Sequence, residues 1–466
     1  MSIARIRDDG SSSVPLLGTD SPPPDASFLY SGATRSRRPT LLHLVTTLSL
    51  PVLVVILLSL TSTSRSTSDP LAEWIHRNAS NVNVFEPLTI VSRNKDVQAS
   101  FIALGASLNE FLVRDKDGNW RDLIVGCKDP RDSVSSDVPF AYFGAVVGRY
   151  ANRISRHSFP ALAPNHDELY TLPINEGNST TLHGGKWGYS RSGWKVISHE
   201  RDRVVFSLID RNGTEGFPGT VETLATYQVV SSPPRLITTF KSRVTSSLAT
   251  PISLSSHVYW NLDGYGTIES NERIGGGMKM WIDSNRTVEI DQELIPTGRI
   301  VEIEPRGPLD FHTRGNRQER ALEEGIKDPR ARGLCGPNCQ GLDNALVYSN
   351  TDRDFETDIV MSLSSPNSGI RMSVRTNQPL VHLYTCNSDS FASTNGSYPI
   401  KRTQRLGQTE PSSSYGKWSC VAIEQEGWID GVHHVEQWNL VGNHSQWYDE
   451  TREYVWWSEY EFSTDA

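Results

Sequence analysis

From about residue 85 to the C-terminus, apolar and polar positions group into short runs that alternate. Leu88–Val91, Phe101–Ala103, Val204–Ile209, Val221–Val229, Leu236–Phe240, Ile359–Leu363, Ile370–Val374 and Leu380–Tyr384 read as strands. Asp117-Gly118, Asn212-Gly213 and Asp263-Gly264 are turn signals between them. Only Gln318–Ile326 looks helical. Arg306–Gln340, rich in Gly, Pro and charge, reads as a long loop. Many short strands without alternating helices predict an all-β sandwich or barrel rather than a parallel α/β sheet. No internal repeat is visible.

Ser253-Leu-Ser-Ser-His-Val-Tyr-Trp-Asn-Leu262 follows a Pro and runs into Asp263-Gly264, so it is bounded like a strand. With period two, Leu254, Val258, Trp260 and Leu262 share one face. Ser253, Ser255, His257, Tyr259 and Asn261 share the other. Most polar strand faces are simply solvated. Solvated faces usually carry Lys, Glu and Thr, however. Ser, His, Tyr and Asn suit the wall of a polar pocket with an imidazole in the middle.

The N-terminal part has a different pattern. Residues 1–40 are rich in Ser, Pro, Asp and Arg without apolar periodicity, and read as a disordered tail. Residues 41–60 form a nearly uninterrupted apolar run, broken mildly by His43, Thr46, Thr47, Ser49 and Pro51, and roughly 20 such residues suffice to span a bilayer as a helix. A cleaved signal peptide has a shorter apolar core close to the N-terminus. A buried helix of a soluble protein is the bland alternative. Arg35, Arg37 and Arg38 precede the run and Arg65 follows it. This asymmetry predicts a single-pass signal anchor with a cytosolic tail and a lumenal or extracellular body. The alternative is secretion after cleavage. A Ser/Thr-rich linker, 61–84, leads into one domain, 85–466. Sequons at Asn78, Asn178, Asn212, Asn285, Asn395 and Asn443 all lie beyond the span.

Composition changes this picture little. The chain has 466 residues, 37% hydrophobic and 21% charged, enough for a substantial core. A net charge of −9 argues against a nucleic-acid surface. The 12 Trp and 15 Tyr suit sugar faces, although most aromatics are core. Cys127, Cys335, Cys339, Cys386 and Cys420 form no CxxC pair or zinc motif. They read as buried thiols. In an oxidising compartment Cys335–Cys339 would close a small loop, and one cysteine would stay unpaired.

Four further segments carry candidate chemistry. In Gly144–Ile154 a strand reading puts Tyr150 and Asn152 on one face and Arg149, Ala151 and Arg153 on the other. These arginines make surface ion pairs, or present a guanidinium to sugar hydroxyls or a carboxylate. In Asn175–Gly185, His183 precedes two glycines, which let a backbone approach a ligand closely. Two histidines in one pocket suit acid–base work. Asp343 enters a strand at Gly341–Tyr348. Alone it reads as a turn residue. Cys420–Asp430 runs an apolar strand into Glu424, where partial desolvation would raise a carboxyl toward a useful general base. A surface strand end is the plain alternative.

Together, Phe143–Ile154, Leu182-His-Gly-Gly185, Ser256-His257-x-Tyr259-x-Asn261, Ile295-Pro-Thr-Gly298, Asp310-Phe311, Gly341-x-Asp343 and Ile423-Glu424 resemble the aldose 1-epimerases (galactose mutarotases), in family order. Glu215–Gly219, Thr376–Pro379 and Glu426–Gly431 look most like the fungal secreted branch. The resemblance implies a large, mostly antiparallel β-sandwich of the galactose mutarotase-like supersandwich type, with a small-molecule aldose as partner. It implies no cofactor, no metal and no obligate protein partner. By position Glu424 is the general base on the anomeric hydroxyl. His257 is the general acid on the ring oxygen, held protonated near carboxylates. The ring opens, C1–C2 rotates and the ring recloses. Arg153, Asn152, His183, Asp343, Tyr259 and His382 match sugar-contacting positions. The chain departs from the family at Val258, often Ser, and at His382, often Gln. A membrane anchor is also atypical.

Two other readings compete. A relative acting on hexose 6-phosphates would want a basic cluster for the phosphate. A membrane-anchored carbohydrate-binding domain would keep the fold without turnover. A glycosidase would need two carboxylates across the scissile bond, and only Glu424 stands in a convincing setting.

Overall fold

The computed structural model describes residues 83–134, 140–162, 168–265, 271–312, 317–350, 352–391, 397–404 and 414–464. The tail, the apolar run 41–60, most of the linker and the sequons at Asn78 and Asn395 lie outside them. No helix among the described residues is long and apolar enough to cross a membrane.

The described chain is built of antiparallel strands. A nine-stranded sheet runs, in spatial order, Lys195–His199, Arg203–Asp210, Val221–Val230, Arg235–Val244, Tyr454–Thr464, Ile370–Thr376, Met361–Ser364, Lys279–Ile282 and Arg320–Ala321. A six-stranded sheet runs Tyr259–Trp260, Val421–Glu426, Leu380–Tyr384, Asp343–Val347, Arg286–Ile290 and Pro296–Glu302. A four-stranded sheet covers Leu88–Asp122. The expected strand runs all contain strand, mostly longer by a residue or more than their apolar cores. The expected helix forms over Leu322–Lys327. It follows the short strand Arg320–Ala321, so the long-loop reading of residues 306–340 is corrected by two local elements.

The six-stranded sheet positions the site through simple alternation. Val421, Ile423, Val381, Leu383 and Leu346 turn one way, into the main core with Phe240, Trp456 and Phe462. Glu424, Glu426, His382 and Asp343 occupy the opposite positions. Burying aliphatic and aromatic groups between sheets is worth roughly 1.5–3 kcal/mol per side chain. That gain holds the polar face in place.

The expected single strand Ser253–Leu262 is broken. Ser255–Ser256 pairs with Val146–Val147, whereas Tyr259–Trp260 pairs with Val421–Ala422 in another sheet. His257 lies between the two pieces. The two faces nevertheless separate as the pattern predicts. Leu254, Val258, Trp260 and Leu262 are all in the main core. Ser255 Oγ donates to the Gln425 carbonyl and Asn261 Nδ2 to the Ser419 carbonyl. Both therefore tie the strand pieces to the sheet instead of lining a pocket.

Of the five cysteines, Cys335–Cys339 and Cys386–Cys420 are bonded and Cys127 is free. The second pair corrects the buried-thiol reading. It joins the end of Leu380–Tyr384 to the start of Val421–Glu426, the strands that carry His382 and Glu424.

Candidate active site

Glu424, His257 and the six residues matched to sugar contacts, Arg153, Asn152, His183, Asp343, Tyr259 and His382, meet in one cluster. Glu424 and His257 are 2% and 4% exposed, and Glu424 Oε1 lies 3.4 Å from His257 Nε2. The His183 ring stands 5.0 Å from that of His257, edge to face. The Tyr259 ring is also 5.0 Å from His257, with its other side among Phe143, Tyr384 and Phe391. His382 faces Glu424 across the strand pair, and its Nε2 meets Asp343 Oδ1 at 2.5 Å. Arg153 Nη2 lies 3.5 Å from Asp343 Oδ2.

Asn152 is the hub on the other side. Its N–H donates to His183 Nδ1 at 3.1 Å, and its Oδ1 accepts from Arg153 N and Nη1 at 3.0 and 3.2 Å. Its Nδ2 donates to Glu426 Oε1 at 3.1 Å. Its φ of 61° is left-handed, a region Asn tolerates better than most residues. That turn corrects the strand reading of residues 149–153. Arg149 does not share the site with Arg153: it is buried against Asp210 at 2.7 Å and donates to the Pro218 and Gly219 carbonyls.

The glycines after His183 also serve a different purpose from the one expected. A Cβ on Gly184 would sit 2.0 Å from the Gly148 carbonyl oxygen, and one on Gly185 2.1 Å from Glu215 Oε2. They allow close packing of the His183 loop on protein backbone and on Glu215, which accepts the Lys186 N–H at 2.6 Å.

Three residues join the site that the sequence reading passed over. Glu176 grips Arg153 with two bonds of 2.9 Å. Tyr142 stacks on His257 at 5.5 Å and meets His183 edge-on at 4.6 Å. Glu426, fully buried, lies two positions after Glu424. The period of two that singled out Glu424 also pointed to Glu426. Nothing in the local pattern marks Tyr142.

The electrostatics follow from burial and charge order. Burial pushes Glu424 well above the usual carboxyl range, with Glu426 and Asp343 adding to it against Arg153. Burial pushes Glu426 up to about 7, opposed by His382. Burial drives His257 down to about 3, and His183 well below its usual value. Burial also raises Asp343, but Arg153 and His382 outweigh it and hold the carboxyl low. The Asp343–Arg153 pair is therefore charged. Burial therefore favours the proton of the central pair on Glu424 over His257. This corrects the expectation of a protonated histidine: desolvation outweighs the nearby carboxylates.

Ligand atoms of His183, His257 and Glu424 lie within 4.8 Å of one another, a spacing a metal ion spans. The Asn152 N–H bond to His183 Nδ1 opposes that use. A neutral ring that accepts at Nδ1 carries its proton on Nε2, whereas ligation through Nε2 would place the proton on Nδ1, against a donor. The cluster suits proton transfer instead: one carboxyl and one imidazole in contact, beside an Arg–Asp pair able to bind hydroxyls.

The family model for Aldose 1-epimerase matches residues 88–452. A probable aldose 1-epimerase of Arthroderma benhamiae is 36% identical over 402 residues, 81% of this chain and 85% of that protein. The galactose mutarotase of Homo sapiens is 29% identical over 233 residues, 47% of this chain and 62% of that protein. The crystal structure of a GalM/aldose epimerase homologue from C. elegans superposes with a TM-score of 0.63 at 24% identity, covering 82% of this chain and 99% of that one. Galactose 1-epimerase from Lactobacillus acidophilus gives 0.62 at 18% identity, over 84% and 98%. These two superpositions show the galactose mutarotase-like fold. With the family match spanning the β domain and its site, the chain belongs to the aldose 1-epimerase family, and it is an isomerase that interconverts sugar anomers.

Proposed function

We propose that Glu424 and His257 exchange the two protons of mutarotation on a free aldohexose such as galactose or glucose. The contact between Glu424 Oε1 and His257 Nε2 inside a water-poor cluster carries this reading. Ring opening needs a base for the anomeric hydroxyl proton and an acid for the ring oxygen. Glu424 as carboxylate takes the first, His257 as imidazolium gives the second, and the C1–O5 bond breaks to an aldehyde. After rotation about C1–C2 the roles reverse and the ring closes on the other face. A proton on Glu424 beside a neutral His257, the arrangement that burial favours, is the protonation of the open-chain stage. Sugar hydroxyls donating to Glu424 Oε2, which has no partner, would favour the carboxylate and return the proton to His257. Arg153, Asp343, Asn152, His183, Tyr259 and His382 are the sugar contacts in this reading. Polarimetry on the purified full chain with fresh α-D-galactose and α-D-glucose tests it. Rotation is expected to decay faster than the buffer blank for wild type and at the blank rate for Glu424→Gln and His257→Asn. A wild-type decay equal to the blank overturns it.

We further propose that the enzyme is of the fungal secreted-type branch, anchored through residues 41–60 with the β domain on the lumenal or extracellular side. Two disulfides favour an oxidising compartment. Asn178, Asn212, Asn285 and Asn443 are all exposed, as glycan acceptors need to be. Release of N-glycans from the protein isolated from its source is expected to lower its mass, and carbonate washing to leave it in the membrane. An unchanged mass together with extraction into the wash overturns both statements.

A further inference from the structure

Glu426 is a buried carboxyl that the proton exchange does not use. It shares the strand Val421–Glu426 with Glu424 and faces the same way, since Ile423 points into the core and Gln425 is held there by the Tyr348 hydroxyl at 2.6 Å. Its Oε1 accepts from Asn152 Nδ2 at 3.1 Å and lies 3.8 Å from His382 Nδ1. Its Oε2 has no hydrogen-bond partner, and neither has His382 Nδ1. Glu426 therefore reaches both halves of the site. Asn152 connects it to His183 and Arg153, and His382 connects it to Asp343.

An acceptor for Asn152 does not need a carboxyl. A glutamine would accept the same bond without the penalty of placing an ionisable group out of water. What only a carboxyl supplies is charge. Alternate positions on a strand place Cα atoms about 6.6–7 Å apart, and in a poorly hydrated site a charge at that range acts strongly on its neighbour. The titratable and charged groups around Glu426 are Glu424 on its own strand, His382 and Asp343 on the two adjoining strands, Arg153 beside Asn152, and the phenols of Tyr150 and Tyr454.

We propose that Glu426 is a positioning residue of the reaction, a second carboxyl that holds Asn152 and, through its charge, sets how firmly Glu424 keeps its proton. The proposal rests on the reading of Glu424 as the base. Two carboxyls sharing one field resist double ionisation, so each is a stronger proton acceptor than it would be alone. Glu426 is the foremost charge acting on Glu424. The site is then a carboxyl pair in which one member reacts and the other adjusts it. Glu426 touches no reacting atom in this scheme.

The test is the pH profile of kcat/KM by polarimetry on the full chain, for wild type and Glu426→Gln, which keeps an acceptor for Asn152 and removes the charge. The acid limb is expected to move to lower pH by about one unit or more, because Glu424 ionises more readily. A weaker base should also lower the plateau rate. Superimposable profiles overturn the proposal. If Glu426→Gln fails to fold, infrared difference titration of the protonated carboxyl band in wild type and Glu424→Gln decides the matter. Coupling is reciprocal, so Glu426 should titrate at lower pH in Glu424→Gln than in wild type. An unmoved titration overturns the proposal. This readout needs no turnover, so it separates failure of the carboxyl coupling from failure of the epimerase mechanism.

Discussion

Glu424 Oε1 stands 3.4 Å from His257 Nε2, and neither side chain is more than marginally exposed. Their backbones come from different places. Glu424 lies within a six-residue strand, whereas His257 occupies a break between two short strand pieces. Replacing either should remove one half of a concerted proton exchange. Glu424→Gln and His257→Asn are each expected to lower kcat by about 10²–10⁴-fold with the fold intact, as initial polarimetric rates and circular dichroism would show. A variant retaining full kcat would take its residue out of the chemistry.

The protonation of the site also shapes stability. Above pH 4.5 an unfolded chain releases the Glu424 and Glu426 protons while the folded site keeps them, for Glu426 up to about 7. The folded state then binds more protons, so this contribution falls as pH rises. Below pH 6.5 an unfolded chain protonates His257 while the folded site resists until about 3, so this contribution falls as pH drops. His183, which burial also holds well below its usual value, adds a second slope of the His257 kind, so two carboxyls and two imidazoles offset between 4.5 and 6.5, with losses on either side. Melting temperatures against pH should show Glu426→Gln with a shallower alkaline loss and His257→Asn with a shallower acid loss. Parallel curves for all three proteins would contradict this.

Arg149 and Arg153 lie four residues apart and should behave in opposite ways. Arg149→Met leaves Asp210 buried without its partner, which is expected to cost about 3–5 kcal/mol in a urea melt. Arg153→Lys keeps the charge but loses the fork that grips Glu176 and faces Asp343. It should raise KM by about tenfold or more while changing the melt little. A large KM change in the Arg149 variant with an unchanged melt would reverse the assignment.

The two disulfides should differ in weight. Cys386–Cys420 closes a separation of 34 residues and Cys335–Cys339 one of 4. Chain entropy gives about 3–4 kcal/mol for the first and about 2 for the second. Cys386→Ser with Cys420→Ser should also reduce kcat, because it frees one end of each of the strands that carry His382 and Glu424. Equal losses in guanidinium melts of the two double variants, with unchanged kcat, would show that the strand ends are held by their ladder alone.

Much of the site is readable in the sequence, because a strand sorts its side chains by parity. Val421, Ile423, Val381 and Leu383 are apolar at the positions that face the core, so Glu424 and His382 face away from it whatever the rest of the molecule does. The same parity selects His257 against Leu254, Val258 and Trp260, even though the strand there is interrupted. It also selects Glu426, which differs from Glu424 only in lying nearer the strand end.

Tertiary structure decided what parity cannot reach. Arg149 and Arg153 look alike in sequence, and the left-handed turn at Asn152 sends one to Asp210 and the other to Asp343. Ser255 and Asn261 look like pocket residues until the Gln425 and Ser419 carbonyls arrive from residues more than a hundred positions away. The proton of the central pair follows the same rule. Carboxylates near His257 suggested an imidazolium, yet burial, set by how closely the sheet and loops pack, disfavours it and favours the proton on Glu424. Alternation along a strand is a local property of the backbone, so the sequence determines which side chains share a face. Desolvation and pairing depend on atoms brought together by the whole fold, so only the assembled structure determines what those side chains do.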